Sequence, residues 1–193
     1  MASSPFEIVA GPATVFIAAE GGASFPKIDE PMPISGWTDL GETEGGVTVR
    51  HTQSVELLYT DQSPGPKKAI RSEVGLEIEF ALAELTLETY AKALNNATVT
   101  TTAAAGTIAG SKSLKSFRGL DVARHMLLVR GPSPYLDGNA QFEVPFCVQL
   151  EDAELEYVRD DKTVLACNFT ALEDPLAATA DDKFGTYRAQ NTA

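Results

Sequence analysis

Alternation of apolar and polar side chains is the clearest pattern in the chain. From Val47 to Thr60, apolar residues fall mostly on odd positions and polar residues mostly on even ones. A second run, from Ile70 to Leu82, alternates in the same way with its apolar residues on even positions. Such a period of two predicts strands that bury one face. Each predicted strand has about 13 residues, which exceeds the usual 3 to 10 and is too long for a compact sandwich of this size.

The stretch between these strands is "YTDQSPGPKKA", Tyr59–Ala69. It holds two prolines, a glycine and two lysines, and the parity of the apolar positions changes across it. Proline and glycine interrupt strands and favour turns. The sequence therefore predicts a long loop at the end of a long hairpin.

One amphipathic helix is predicted directly after the second strand. Glu88 stands near its start and Lys92 near its end, as the helix dipole favours, and Asn95-Asn96 can end it. Four apolar residues at i, i+3, i+4 and i+7 are expected to pack against the sheet. They are Leu87, Tyr90, Ala91 and Leu94.

A third long strand is predicted from Phe142 to Leu150, with Phe142, Val144, Phe146, Val148 and Leu150 inward. The parity then changes to Ala153 and Leu155, which predicts a bulge near Glu151 and Asp152. Residues 97–113 are expected to form weak strand or loop. Residues 1–12, about 20–34 and about 174–193 are expected to be arms without anchors in a monomer.

These elements predict a mainly β protein of the α+β class, a sandwich or barrel with long hairpins and one packed helix. Its 193 residues suit a single domain, 1–193. Long strands with unpaired edges are an aggregation hazard in a monomer. We therefore expect the chain to assemble.

Composition limits the kinds of molecule that the chain is expected to bind. The net charge is −12, so a basic groove that grips nucleic acid is not expected. No apolar run is long enough for a membrane span, and the first residues lack a secretory signal, so we expect a protein made in a cytosol, with no membrane contact. Cys147 and Cys167 are expected to be buried free thiols.

Chemistry typical of enzymes is not recognisable in the sequence. There is no P-loop, no GxGxxG, no GxSxG and no HExxH, and the two histidines, His51 and His125, cannot supply a zinc site. Carboxylate pairs such as Glu77 and Glu79 have roughly the reach of an acid-base pair, but in so acidic a chain a solvated strand face explains them. We expect no catalysis, no metal and no cofactor.

Residues Gly36–Asn96 resemble the tail tube, or major tail, proteins of tailed bacteriophages. Three motifs carry the resemblance in the same order and spacing: "DLGETEGGV" before the first long strand, "DQSPGP" after it, and "LAELTLE" at the start of the helix. The resemblance covers about a third of the chain well, and the rest fits by strand pattern only. Within the family, a non-contractile tail is favoured.

The resemblance implies a structural subunit that forms stacked hexameric rings. Two long hairpins per subunit would join a continuous inner barrel, and residues 61–69 would form a loop that reaches the adjacent ring. The residues of this inter-ring loop would be Asp61, Gln62, Ser63, Pro64, Gly65, Pro66, Lys67 and Lys68. The alternative interpretation is an ordinary exposed hairpin connection.

The resemblance also implies a hollow, negatively lined conduit through which DNA passes during ejection without specific binding. Candidate residues facing the lumen are Glu56, Arg71, Glu73, Glu77, Glu79, Glu143 and Glu151. Expected partners are further copies of the chain, a tape-measure protein, the tail terminator and distal tail or baseplate proteins. The protein would assemble in the bacterial host cytoplasm and end in the virion tail.

Two other functions remain open at this point. One is another β-rich virion ring protein, such as a tail terminator or adaptor, or a secretion-type tube subunit. Rings that never stack in solution would favour this function. The other is an enzyme or small-ligand binder that uses carboxylates near Glu154 or Glu77.

Overall fold

The computed structural model describes residues 9, 11–95, 98–117, 119–135, 138–157, 159 and 161–191. It is mainly β with one α-helix and antiparallel strand pairing, as the sequence predicts. The predicted N-terminal arm, 1–12, lies largely outside the described residues. Asn96, which the sequence places at the helix end, also lies outside them.

Eight strands form one antiparallel sheet within the described part of the chain. Its order is β2-β1-β7-β8-β9-β4-β3, with β10 also paired to β8. Residues 40–42 join the two ends of this path, β2 and β3. The strands are β1 (Thr14–Ala19), β2 (Thr38–Asp39), β3 (Thr43–Thr60), β4 (Ser63–Leu82), β7 (His125–Pro132), β8 (Asn139–Gln149), β9 (Leu165–Ala171) and β10 (Thr186–Ala189).

The sheet curves around one apolar core. Side chains from β1 and β7 meet side chains from β9 and β4 in a single cluster, although these strands are well separated in the sheet order. Its fully buried members include Ile17, Leu127, Leu165, Phe169 and Ile78. This arrangement agrees with the predicted sandwich or barrel.

The helix α1 (Leu87–Ala93) closes one side of this core. The Thr86 hydroxyl accepts a hydrogen bond from the Thr89 amide at 3.1 Å, which caps its start. Ala91 and Leu94 are buried, and Tyr90 packs against the core. The predicted packing of Leu87 is wrong, because its side chain is 36% exposed. Leu87 is the first residue of the helix. Ala93, which the pattern missed, is buried instead.

A separate hairpin follows the helix. β5 (Val99–Thr102) pairs with β6 (Ser111–Leu114), and most of their residues are exposed. Lys112 of β6 forms an ion pair with Glu88 of α1 at 2.5 Å. The weak strand character expected for 97–113 is confirmed for the seven residues of these strands that lie in that range.

The outer side of β1 and β7 is covered by residues 20–37, and the sequence predicted an unanchored arm over about 20–34 of this segment. Trp37 and Phe16 belong to a second apolar cluster there, and the Trp37 indole donates to the Ser24 carbonyl at 2.9 Å. Side chains of β8 hold the same segment, because Asn139 donates to the Ile28 carbonyl at 3.1 Å. The segment is anchored by hydrogen bonds that a local pattern cannot reveal.

The C-terminal segment is also anchored, so the prediction of an unanchored arm over 174–193 is wrong for this part of it. β10 pairs with β8 from Thr186↔Glu143 to Ala189↔Ala140. Beyond β10, the Gln190 carbonyl accepts a hydrogen bond from the Ser133 hydroxyl at 2.9 Å. Burial does not alternate along this four-residue strand, so the sequence carries no period-two signal for it.

The register of β8 corrects the third predicted strand. His125 pairs with Cys147 and Leu127 with Val144, so two residues of β8, 145 and 146, stand opposite Met126 alone, and β8 carries one extra residue there. One of them is a proline, which cannot donate to a ladder. Cys147 therefore joins the core. The predicted bulge near Glu151 and Asp152 is wrong, because β8 ends at Gln149.

Candidate assembly surface

The β3–β4 hairpin extends far beyond the core. β4 begins at Ser63 but pairs with β9 only over Glu77–Leu82. About 14 residues of β4 therefore project, a length of roughly 45 Å. We call residues 50–74 the hairpin arm; none of them is buried.

The end of the arm corrects the predicted loop. Asp61 and Gln62 form a tight turn, and residues 63–68, predicted as part of the loop, belong to β4. The pairing is nevertheless irregular there, since Leu58↔Lys68 is followed by Thr60↔Ser63. Four residues of β4 thus stand opposite Tyr59 alone. Two are prolines, which an arm can hold because the other edge of β4 is unpaired at this point.

Large apolar side chains are exposed along the arm. Leu57 is 50% exposed and Tyr59 62% exposed, and both edges of the arm lack a partner strand among the described residues. The other apolar side chains of the arm that stand open to solvent are Val55, Leu58, Ile70 and Val74. Unpaired edges and exposed apolar groups together are typical of a surface that binds another chain.

One face of the hairpin is acidic. Glu77 lies directly opposite Arg50, and Glu79 lies opposite Thr48. The Arg50 guanidinium forms ion pairs with Glu77 at 3.3 Å and Glu79 at 2.8 Å. The acidic face, as we use the term, consists of Glu56, Glu73, Glu77 and Glu79 with Arg50 among them.

Arg71 does not belong to the acidic face, although the sequence grouped it there. Ser54 pairs with Glu73, but the next residue, Val55, pairs with Arg71. Ser72 is thus an extra residue, and a bulge of this kind turns every following side chain to the opposite face. Arg71 lies with Val55 on the other side of the arm.

The remaining two candidate lumen residues lie away from the arm. Glu143 is buried in β8, where its carboxylate accepts hydrogen bonds from Arg188 at 3.0 Å and from Gln141 at 2.6 Å. It is a structural ion-pair partner of β10, and its predicted place on a lumen wall is wrong for the subunit. Glu151 is exposed just after β8, beyond the regular strand.

Glu143 is part of a polar network that the sequence did not reveal. The amide oxygen of Gln141, fully buried, accepts from Arg130 at 2.6 Å, and its amide nitrogen also donates to the Pro26 carbonyl at 3.0 Å. Arg130 donates to the Lys27 carbonyl at 3.0 Å. In the sequence, Gln141 and Glu143 appear only as two polar residues of an apolar strand, and this pattern favoured side chains that face solvent.

The buried titratable groups in the core have pKa values that favour their neutral forms. Burial lowers the pKa of His125 to about 4, and the charge of Lys92 adds to this effect. Burial raises the pKa of Cys147 and raises that of Cys167 to about 12. Both thiols are free, as predicted. Unreactive thiols and a neutral histidine do not make a nucleophilic site.

Within the described ranges, no group of three or more metal-binding side chains lies together. Among the helices there, none has the length and apolar character needed to cross a membrane.

Comparisons with known proteins give a structural likeness but no sequence match. No protein-family model and no curated protein matches the sequence. A solved structure is similar over 98% of this chain and 97% of its own, at 8% sequence identity and a TM-score of 0.48. It is described as a cryo-EM structure of the anti-feeding prophage (AFP) baseplate, 6-fold symmetrised.

Proposed function

We propose that this chain is a non-catalytic structural subunit of a bacteriophage tail tube. Copies would close into hexameric rings, and the rings would stack around a tape-measure protein. The hairpin arm supports this proposal most directly, because its two strands pair with each other but their outer edges find no partner strand among the described residues.

Ring closure would proceed through the edges of the arm. β3 ends the sheet path, so its outer edge is unpaired over its whole length in the described chain. A neighbouring copy that pairs with this edge would continue the sheet, and a closed ring has no free edge. The same pairing would bring a neighbouring strand beside the exposed side chains of Val55 and Leu57.

The acidic face would then line the passage for DNA. A surface with more carboxylates than cations offers phosphates few counter-charges, so DNA would pass without sticking. Arg50 balances only part of this charge, because it is shared between Glu77 and Glu79. Phage DNA would therefore be a passing cargo and no specific ligand.

Negative-stain electron microscopy of the purified protein over a range of concentrations tests the proposal. Hollow tubes with a regular axial repeat are the expected result. Isolated rings that never stack would favour a terminator or adaptor instead. A species that stays strictly monomeric at every concentration would overturn self-assembly.

A variant pair sharpens this experiment. Leu57→Asn with Tyr59→Asn should leave the subunit folded, because both side chains are already exposed, but should prevent assembly. Leu120→Asn is the matched control, since Leu120 is fully exposed outside the arm. Tubes from the arm variant that match those of the control would contradict a role of the arm in assembly.

A further inference from the structure

The hairpin tip and residues 150–157 lie at opposite ends of the sheet. β4 runs from the tip at Ser63 to Leu82, which pairs with Leu165 at the start of β9. β8 is antiparallel to β9 and ends at Gln149 beside Phe169, heading toward that same far end. The chain after β8 therefore lies at the base of the hairpin, and copies placed head to tail would bring this base near the tip of the next copy.

The tip, residues 61–68, is a basic spot on an acidic protein. Lys67 and Lys68 are adjacent and exposed, and among the described residues neither ammonium has an ion-pair or hydrogen-bond partner. Asp61 is the only acidic residue of the tip. Leu57 and Tyr59, just below the tip, add exposed apolar surface.

The base segment, residues 150–157, has the complementary character. Ala153 and Leu155 pack on the core, which fixes the segment in place. Leu150 is 66% and Tyr157 83% exposed. Between them stand four exposed carboxylates, none of which has an ion pair or hydrogen bond with another described residue: Glu151, Asp152, Glu154 and Glu156.

A second acidic segment, residues 173–182, is a poorer match for the tip. Glu173 already forms an ion pair with Lys183 at 2.8 Å. The Asp174 carboxylate accepts a hydrogen bond from the Leu176 amide at 2.7 Å, and Asp182 accepts one from Thr179 at 2.8 Å. Most of its charge is thus satisfied within the subunit, whereas that of the base segment is not.

We propose that the tip of one copy docks on the base segment of the next copy. The inference rests on the proposed self-assembly and names the surface that receives the arm. Lys67 and Lys68 would face Glu154 and Glu156, while Tyr59 and Tyr157 would bury apolar area beside them. Because tip and base are different surfaces, the contact is heterologous and repeats without closing, which extends a stack.

Charge reversal tests this contact. Lys67→Glu with Lys68→Glu, and separately Glu154→Lys with Glu156→Lys, should each raise the protein concentration needed for tubes by about tenfold or more. The variant with all four changes should return close to the wild-type value, since the opposite charges face each other again. Asp121→Lys with Asp181→Lys raises the net charge by as much as the base reversal does, at two exposed acidic residues elsewhere, and should behave like the wild type.

The outcomes separate this contact from the proposed function. Two outcomes would reject the docking but not the proposed tube subunit, provided that the wild type forms tubes. In the first, the base variant assembles like the control. In the second, the variant with all four changes assembles no better than the tip variant or the base variant. Absence of any wild-type oligomer rejects both. Circular dichroism of each variant confirms folding.

Disulfide cross-linking provides a second measurement that does not depend on charge. The native thiols are buried, so engineered cysteines dominate the reaction. Lys68→Cys combined with Glu154→Cys in one chain should give a ladder of linked subunits on oxidation, whereas either cysteine alone should give dimers at most. Ladder formation supports the contact, and its absence in assembled tubes contradicts it.

Discussion

The backbone of Gly185 lies directly against the carbonyl oxygen of Glu143. A Cβ at position 185 would fall far inside van der Waals contact with that oxygen, and Gly185 also has a φ of +100°. Only glycine meets both conditions. This contact starts β10 on its path along β8, where Arg188 then reaches the Glu143 carboxylate.

Gly185→Ala should therefore destabilise the subunit by about 2 to 4 kcal/mol, from backbone strain plus the clash with β8. Urea unfolding followed by circular dichroism measures the change. Gly65→Ala is the control: no atom lies within 4 Å of a Cβ there, and its φ is not positive. Equal stability of the two variants would contradict the role given to Gly185.

Gln141→Leu should cost about 2 to 4 kcal/mol, because Arg130 and Glu143 each lose one hydrogen-bond partner where water cannot replace it. Thermal unfolding with and without the change measures it. Ser72→Ala, which removes an exposed hydroxyl with a 3.4 Å contact to the Ser54 carbonyl, should change stability by less than about 0.5 kcal/mol. A Gln141 variant as stable as that control would show that the network contributes nothing.

Stability should fall as the pH drops from about 6.5 to about 4, because of His125. Its folded pKa of about 4 lies below its ordinary value of 6.5, so the unfolded chain binds the extra proton in this window. The contribution is complete above pH 6.5 and is lost as the pH falls through the folded pKa. The full effect is about 3 kcal/mol.

His125→Phe should flatten this part of the stability profile, measured as the urea midpoint at a series of pH values. Lys92 is the charged neighbour of His125, so Lys92→Gln should shift the profile only slightly. The same slope in the His125 variant and in the wild type would assign the acid sensitivity to other groups.

Deletion of Ser63–Lys68 should give folded subunits that cannot stack. These residues touch only the end of the arm, and the core begins at Leu76. Sedimentation and electron microscopy report folding and assembly separately. Tubes of normal length from the deletion would contradict an inter-ring role for this segment.

Glu77→Lys with Glu79→Lys should permit assembly but slow DNA ejection from particles. The change would place three cations together, since Arg50 lies between the two carboxylates. Cations arrayed along a passage bind phosphates and retard DNA. Asp121→Lys with Asp181→Lys is again the charge-matched control, and ejection at the same rate from both variants would remove Glu77 and Glu79 from the lumen.

Local pattern predicted the parts of this fold that alternation controls. The two strands of the hairpin, the helix and the mainly β class follow from period and spacing. The bulge at Ser72 could not be predicted from the sequence, because the extra residue depends on how the two strands align and no local signal marks it. Arg71 was therefore placed on the wrong face.

The ion pairs of the acidic face could not be predicted for the same reason. Arg50 and Glu77 are far apart in sequence, and their contact depends on the register of the hairpin. The sequence also placed Gln141 and Glu143 toward solvent, whereas both are buried. Their hydrogen-bond partners come from segments distant in the chain, which a local pattern does not show. Tertiary contacts decide such positions.

The tight turn at Asp61 and Gln62 also affects how the chain folds. Strands joined by so short a turn can pair within about 1 to 10 μs, starting from the turn. The core is slower, because β1 must find β7, as in the pair Phe16↔Leu128, across most of the chain. We therefore expect the arm, with its apolar side chains, to exist before the core has formed. Newly made chains would be most prone to misassociate in this interval, and chaperones would act there.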